Sequence, residues 1–230
     1  MDFELGQIIH TASTWILPVL FAITLHEAAH GFVAWRLGDD TAYRLGRVTF
    51  NPLRHVDTFG TIILQALLLV LRAPFLFGWA KPVPVRFGRL RRPRRDMVLV
   101  ALAGPGANII LATLSAMLFH VLWLLPQSPA VWAATTLYNS ILLNLVLAVF
   151  NMLPLPPLDG GRVAVGLLPR SLAVPLARLE RYGLFILIGV VFLLPMLGRQ
   201  MGLDLNLFYW LVGTPVGWLM PFFTGLAGIA

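Results

Sequence analysis

Polar residues are so sparse along this chain that it reads as a series of long apolar runs separated by short basic or proline-rich breaks. The first run covers about residues 8–37 and carries His26-Glu27-Ala28-Ala29-His30 near its C-terminal end. Residues 38–58 are mixed. Within them TAYRLGRVTF alternates unevenly, as a short β element would, and NPLRHVD is punctuated as a turn by its Asn-Pro. Residues 60–79 are apolar but broken by Arg72, Pro74 and Gly78. Two long apolar helices follow, 97–125 and 129–153, split by LPQSP. After the turn-rich LPLPPLDGGR comes a short amphipathic stretch with Arg170, Arg178 and Arg181, then two more apolar runs at about 183–197 and 207–226.

Several of these runs reach the roughly 20 residues a helix needs to cross a bilayer core. The pattern predicts an all-α polytopic membrane protein with about five spanning helices, one re-entrant segment and a short β element. No polar stretch is long enough to build a second core, so one membrane-embedded domain is expected over 1–230, with its core at 8–165 and C-terminal helices within 183–229.

Composition supports this reading. Hydrophobic residues make up 58% and charged residues 12%, against roughly 25% charged in soluble domains. The net charge of +7 raises the question of nucleic acid. The basic residues, however, cluster in short loops beside apolar runs, the placement that reports topology and contact with anionic lipid headgroups. Nucleic acid is not an expected partner. Cysteine is absent, which excludes a disulfide framework and a thiolate metal site. The N-terminus has Asp2 and Glu4 and no basic residue before the first apolar run, so that run is expected to stay rather than be cleaved as a signal peptide.

The basic residues also predict the path through the membrane. With the N-terminus outside, the first helix delivers Arg36, Arg44, Arg47 and Arg54 to the cytoplasm. If 60–79 dips in and returns, the seven basic residues of 81–95 stay on that side. All Lys and Arg except Arg72 and Arg199 are then cytoplasmic. Re-entrant backbone is stable only where protein or a wet cavity satisfies its polar groups, so 60–79 is expected to wall a cavity.

The chemistry lies in HEAAH. Two imidazoles at i and i+4 share one face of a helix, the spacing with which a helix grips one zinc ion, and Glu27 between them can take a proton from metal-activated water. Three such groups in an apolar span are functional candidates by default. A catalytic zinc usually takes a third protein ligand. His10 lies about 24 Å along the helix from His26, and His120 is near the outer end of its own helix. The acidic candidates near the inner side are Asp39, Asp40, Asp57, Asp96 and Asp159. Asp159 stands out because Pro154, Pro156 and Pro157 keep the chain before it extended. Spacing alone leaves it as either a ligand aimed into the membrane or an ordinary turn or N-cap carboxylate.

HEAAH together with NMLPLPPLDGG resembles the site-2 protease family of intramembrane zinc metalloproteases, in which an HExxH helix and an N-x-x-P-x-x-P-x-D-G type motif share one zinc. The stretches GRVTFNPLRHVDTFGT, GWAKPVPV and ALAGPGAN also resemble the compact bacterial and archaeal members, so the likeness covers roughly residues 20–165. It implies one zinc per chain held by His26, His30 and Asp159, Glu27 as catalytic base, and Asn151 as a catalytic polar group close to the substrate. The implied substrates are transmembrane proteins, cleaved in the cell membrane of a prokaryote. Ala29 stands where many members carry Gly, and Arg86 where Asn is more frequent, so no role is assigned at 86. A shared zinc requires HEAAH and Asp159 at one depth on one side, which the re-entrant topology provides and a spanning 60–79 would not.

Smaller expectations complete the reading. His55 reads as a loop histidine or a group beside the site, and Asn108 as an interhelical hydrogen-bonding residue among the packing glycines Gly104 and Gly106. TAYRLGRVTF reads equally as an exposed edge on which unwound substrate could dock or as an ordinary surface hairpin. Two rival functions use the same residues: a non-catalytic relative that binds membrane proteins, and a metal transporter.

Overall fold

The computed structural model describes residues 2–57, 63 and 81–229; the expected re-entrant segment 60–79 lies almost wholly outside them. Helix α1 (Asp2–Arg36) is followed by a single helical turn, Thr41–Arg44. Helix α2 (Pro93–Leu118) runs on into a 3₁₀ stretch, Phe119–Leu124. Helices α3 (Gln127–Asn151) and α4 (Asp159–Leu167) come next. A further helical run, Arg170–Gln200, is α5; it contains a 3₁₀ stretch at Leu179–Tyr182 and a π-helical turn at Gly189–Leu193. The last helix, α6 (Thr214–Leu226), continues a π-helical turn at Tyr209–Gly213.

Among the described residues, four segments are long and apolar enough to cross a membrane: Ile9–Arg36, Pro93–Leu124, Gln127–Asn151 and Arg170–Gln200. The fifth expected span, 207–226, is helical but is not among these four. Large apolar side chains such as Phe21, Ile110, Val131 and Phe185 point outward, which costs little against lipid. The protein is a membrane protein.

Helices α1, α2 and α3 pack on one another, and α4 lies against α2. Hydrogen bonds fix their directions. Trp132 of α3 donates to Ser13 Oγ and Asn139 to Thr14 near the start of α1, while Asn144 meets α2 farther along. So α1 and α3 run parallel, and α2 returns between their ends. The main apolar core joins Ala112 and Ala116 of α2, Ile141 and Leu145 of α3, and Val216 and Phe223 of α6. Small residues at the crossings allow close approach, as membrane helix packing requires.

The end of α1 is tied down by a buried carboxylate. Gly38 takes φ +115°, and Asp39 N–H donates back to Ala34 O, closing the helix as only glycine does easily. The fully buried Asp39 side chain then accepts from Thr41 N–H and Thr41 Oγ1 through one oxygen and from Arg86 N–H, at 2.6 Å, through the other. Arg91 N–H donates to Leu37 O, and the Arg162 guanidinium of α4 lies over the Phe87 ring. The basic stretch 81–95 and the start of α4 therefore sit at the Arg36 end of α1.

These contacts correct one expectation. Among the described residues there is no strand. TAYRLGRVTF instead opens as the helical turn Thr41–Arg44, because Asp39 caps Thr41 and Asp40 pairs with Arg44 at i+4. Gly46, at φ +64°, ends the turn, and among the described residues no strand pairs with it. Local caps outweigh a weak alternation.

Burial alone would raise the Asp39 pKa. The Thr41 hydroxyl, the Arg86 and Thr41 N–H donors and the Arg89 charge outweigh it and hold the carboxyl below its usual range. With the folded-state value lowered, the stabilisation is complete above the unfolded value, about 3.9, and is lost as pH falls through the folded value. Asp39→Asn sets an amide against a backbone donor, and should lower stability by about 1–3 kcal/mol at neutral pH. Melting curves of the purified protein should show this gap closing as the pH drops below that range; a gap independent of pH would contradict the assignment.

Candidate metal centre

The i, i+4 spacing places His26 and His30 on the α1 face that looks into the bundle, and both are buried. Asp159 reaches them from the first turn of α4. The chain gets there through a tight turn, in which Leu158 N–H bonds Leu155 O and Gly161 N–H bonds Leu158 O. Side chains at 160 or 161 would collide with the backbone: a Cβ on Gly160 would strike Met152 O, and one on Gly161 would lie 2.5 Å from Leu155 C. The two glycines after the aspartate thus let LPLPP fold back on the helix it precedes.

The three side chains meet at single atoms. His26 Nε2 and His30 Nε2 are 3.1 Å apart, and Asp159 Oδ2 lies 3.2 and 3.3 Å from them. Neighbouring ligands of a tetrahedral zinc, each bound at 2.0–2.1 Å, stand about 3.3–3.4 Å apart. The triangle therefore has the size of one face of a zinc coordination sphere.

Proton positions make the same point. His26 Nδ1 faces Asn108 Oδ1 at 2.6 Å, and His30 Nδ1 faces Val100 O at 2.7 Å. Both partners are acceptors, so each neutral ring carries its proton on Nδ1 and turns a bare lone pair inward. Asp159 Oδ2 is buried and makes no hydrogen bond. Three lone pairs thus face one another, which is unfavourable unless a metal cation or a proton lies between them. These three are also the group among the described residues whose ligand atoms lie close enough to hold a metal ion.

Gly104 of α2 gives the centre its room. A Cβ there would clash with His30 Nε2 and lie 2.6 Å from His26 Nε2, whereas one on Gly106 would meet nothing within 4 Å. Of the two glycines read as packing residues, Gly104 is pressed against the two imidazoles and Gly106 faces open space. Asn108 does bridge helices, as its sequence position suggests, through Ala22 O and Asn144 Oδ1; that it also holds the His26 imidazole was not legible.

Glu27 is turned beside the two histidines, and its Oε2 accepts from Val83 N–H at 2.8 Å. Val83 belongs to Lys81-Pro-Val-Pro-Val, which Pro82 and Pro84 keep extended along α1. Asn151 ends α3, and its Nδ2 donates to Leu147 O within the same helix. His55 is buried, with Nε2 on Thr49 O and its own carbonyl accepting from Lys81 N–H; it fastens the loop to the extended segment.

A profile of peptidase family M50 matches residues 126–196, which hold NMLPLPPLDGG but not HEAAH. The chain is also 40% identical over 185 residues to the Bacillus subtilis protein named "Putative zinc metalloprotease YwhC", a match covering 79% of this chain and 80% of that relative. The chain belongs to the site-2 protease family, peptidase family M50. Two mycobacterial proteins named "Putative zinc metalloprotease Rip2" are similar at lower identity. That of Mycolicibacterium smegmatis is 31% identical, over 83% of this chain and 70% of its own length. That of Mycobacterium tuberculosis H37Rv is 33% identical, over 84% and 70%. No solved structure matches.

In this site-2 protease family member, metal analysis of the purified protein should find one zinc per chain, falling sharply in His26→Ala, His30→Ala and Asp159→Ala. Gly104→Ala should lose zinc as well, while Gly106→Ala, on the same helix, should keep it. Equal zinc in the two glycine variants would refute the clearance argument, and undiminished zinc in the three ligand variants would refute the centre.

Proposed function

We propose that the protein is an intramembrane zinc metalloprotease, a multi-pass protein of the cell membrane that hydrolyses peptide bonds in or near the transmembrane segments of other proteins. The observation that carries this reading is the convergence of His26 Nε2, His30 Nε2 and Asp159 Oδ2 within 3.3 Å of one another inside an apolar helical bundle, with a carboxylate of the same helix as the histidines beside them. His26 lies ten residues before Arg36, about 15 Å along α1, so the centre is within the apolar thickness and not at its edge.

His26, His30 and Asp159 would hold the zinc, and their one-sided triangle leaves a fourth position for water or a substrate carbonyl. The bound ion supplies Lewis acidity, making water nucleophilic near neutral pH and polarising the carbonyl. Glu27 accepts the proton of the attacking water and returns it to the departing amine. The Val83 N–H on Oε2 fixes the carboxylate's direction. Asn151, at the inner end of α3, would exchange its bond to Leu147 O for one to the substrate, supporting the charge that develops on the carbonyl oxygen. The surrounding helices keep bulk water from the reacting groups, which strengthens each of these interactions. The chain as one domain, 1–230, suffices for this chemistry in our reading.

A carboxylate placed between two metal-binding histidines favours hydrolysis over transport or simple binding, neither of which needs a base there. Glu27→Gln is nearly isosteric and should retain zinc and fold while cleavage of a single-span substrate falls by about 10²- to 10⁴-fold. Incubating wild type and variant with the same reconstituted substrate decides the matter. Cleavage at the wild-type rate by the variant would rule out the mechanism; zinc flux into vesicles, unchanged by the exchange, would indicate a transporter.

A further inference from the structure

The two metal-binding imidazoles are held in the same tautomer by different means. His30 Nδ1 donates to Val100 O, a backbone carbonyl that can only accept. His26 Nδ1 donates to Asn108 Oδ1, and a side-chain amide can accept or donate depending on which way it is turned. If Asn108 rotated by half a turn, its NH₂ would face His26 Nδ1. That nitrogen would then have to accept, the ring proton would move to Nε2, and the lone pair toward the metal would be gone. The orientation of one amide therefore decides whether His26 can be a ligand.

What holds that amide lies on a third helix. Asn108 Nδ2 donates to Asn144 Oδ1 at 2.8 Å and, more weakly, to Ala22 O at 3.3 Å. Asn144 is itself an amide and needs the same protection. It obtains this from Ser140, where its Nδ2 donates to the backbone carbonyl at 2.8 Å and to Oγ at 3.3 Å. The relay Ser140 O, Asn144, Asn108, His26 thus starts on an acceptor-only group, and every donor in it points the same way. Asn108 is 0% and Asn144 1% exposed, so water cannot stand in for a missing member.

We infer that Asn144, which touches no ligand and no reacting group, is a positioning residue of the metal centre: it fixes the Asn108 amide and through it the metal-binding tautomer of His26. This rests on the reading of His26, His30 and Asp159 as a zinc site. Partners behind a metal-binding histidine typically alter metal affinity by 10- to 100-fold, and Asn144 acts one link farther out.

The test is zinc affinity of the purified full chain by chelator competition, with the ligand field of the cobalt-substituted protein as a second readout. Asn144→Leu, close in size and without an amide, should weaken zinc binding roughly tenfold and perturb the cobalt spectrum. Asn144→Asp keeps an acceptor toward Asn108 and should bind zinc within about twofold of wild type by the same argument. The deciding arm is Asn108→Asp. A carboxylate accepts from His26 Nδ1 whichever way it turns, so in that background Asn144→Leu should no longer weaken binding.

Wild-type affinity in Asn144→Leu, or an equal loss with and without Asn108→Asp, would overturn the proposal while leaving the metal site standing. No zinc in the wild type would overturn both. If Asn144→Leu does not fold, Asn144→Ala is read in the same two backgrounds. Failure of both to fold, even with Asn108→Asp present, would also overturn it, because Asn144 would then hold the bundle together and not the ligand.

Discussion

Everything in this structure is arranged around three electron pairs that ought to repel. Two imidazole nitrogens and a carboxylate oxygen, each about 3.2 Å from the next, are held together in an apolar bundle. In water such a cluster would separate or take up protons. Here the protons are kept on the far side of each ring by acceptors, and the carboxylate is carried on a turn that packing does not let open. In the proposed reading, a divalent cation at the centre would turn this liability into a favourable interaction. The rest of the fold can be read as the means of keeping those groups in place until the ion arrives.

Three consequences follow if the site lies within the membrane, as proposed. Helices α1, α2 and α3 cannot be driven together by the hydrophobic effect, since lipid is as apolar as their side chains. Their association relies on close packing at Ala112, Ala116 and Gly104 and on polar bridges such as Asn139 to Thr14 and Asn108 to Asn144. The Asn108 bridge also orients the His26 imidazole, so a contact that assembles the bundle is one that prepares the proposed metal site. The irregular parts, the extended Lys81–Val85 segment and the LPLPP turn, lie on protein where their polar groups find partners in Glu27, His55 and α4, as backbone at membrane depth must.

The Arg36 end of α1 is where these parts meet. Asp39, buried and multiply hydrogen-bonded, ties the helix terminus to the segment that reaches Glu27. Arg162 stacks on Phe87 from the helix that begins with Asp159. A polar junction at the bundle's end thus holds Glu27 and Asp159 to the same reference point, although they come from segments far apart in the chain.

Much of this was legible in the sequence. HEAAH sets two imidazoles on one helical face whatever surrounds it, because the spacing is local geometry. Apolar runs of spanning length and the absence of cysteine define a membrane protein that must bind metal through nitrogen and oxygen. The strand reading of 41–50 failed for a local reason as well: Asp39 and Asp40 cap a helical turn more strongly than uneven alternation favours extension. Spacing could not decide between ligand and turn residue for Asp159, because what distinguishes them is the company it keeps. The same holds for the ring tautomers, which depend on Asn108 and Val100, 82 and 70 residues from the histidines they orient, and for the space that Gly104 leaves open. Local spacing determines which side chains can share a face; only contacts between distant segments determine where their protons sit and whether there is room for an ion among them.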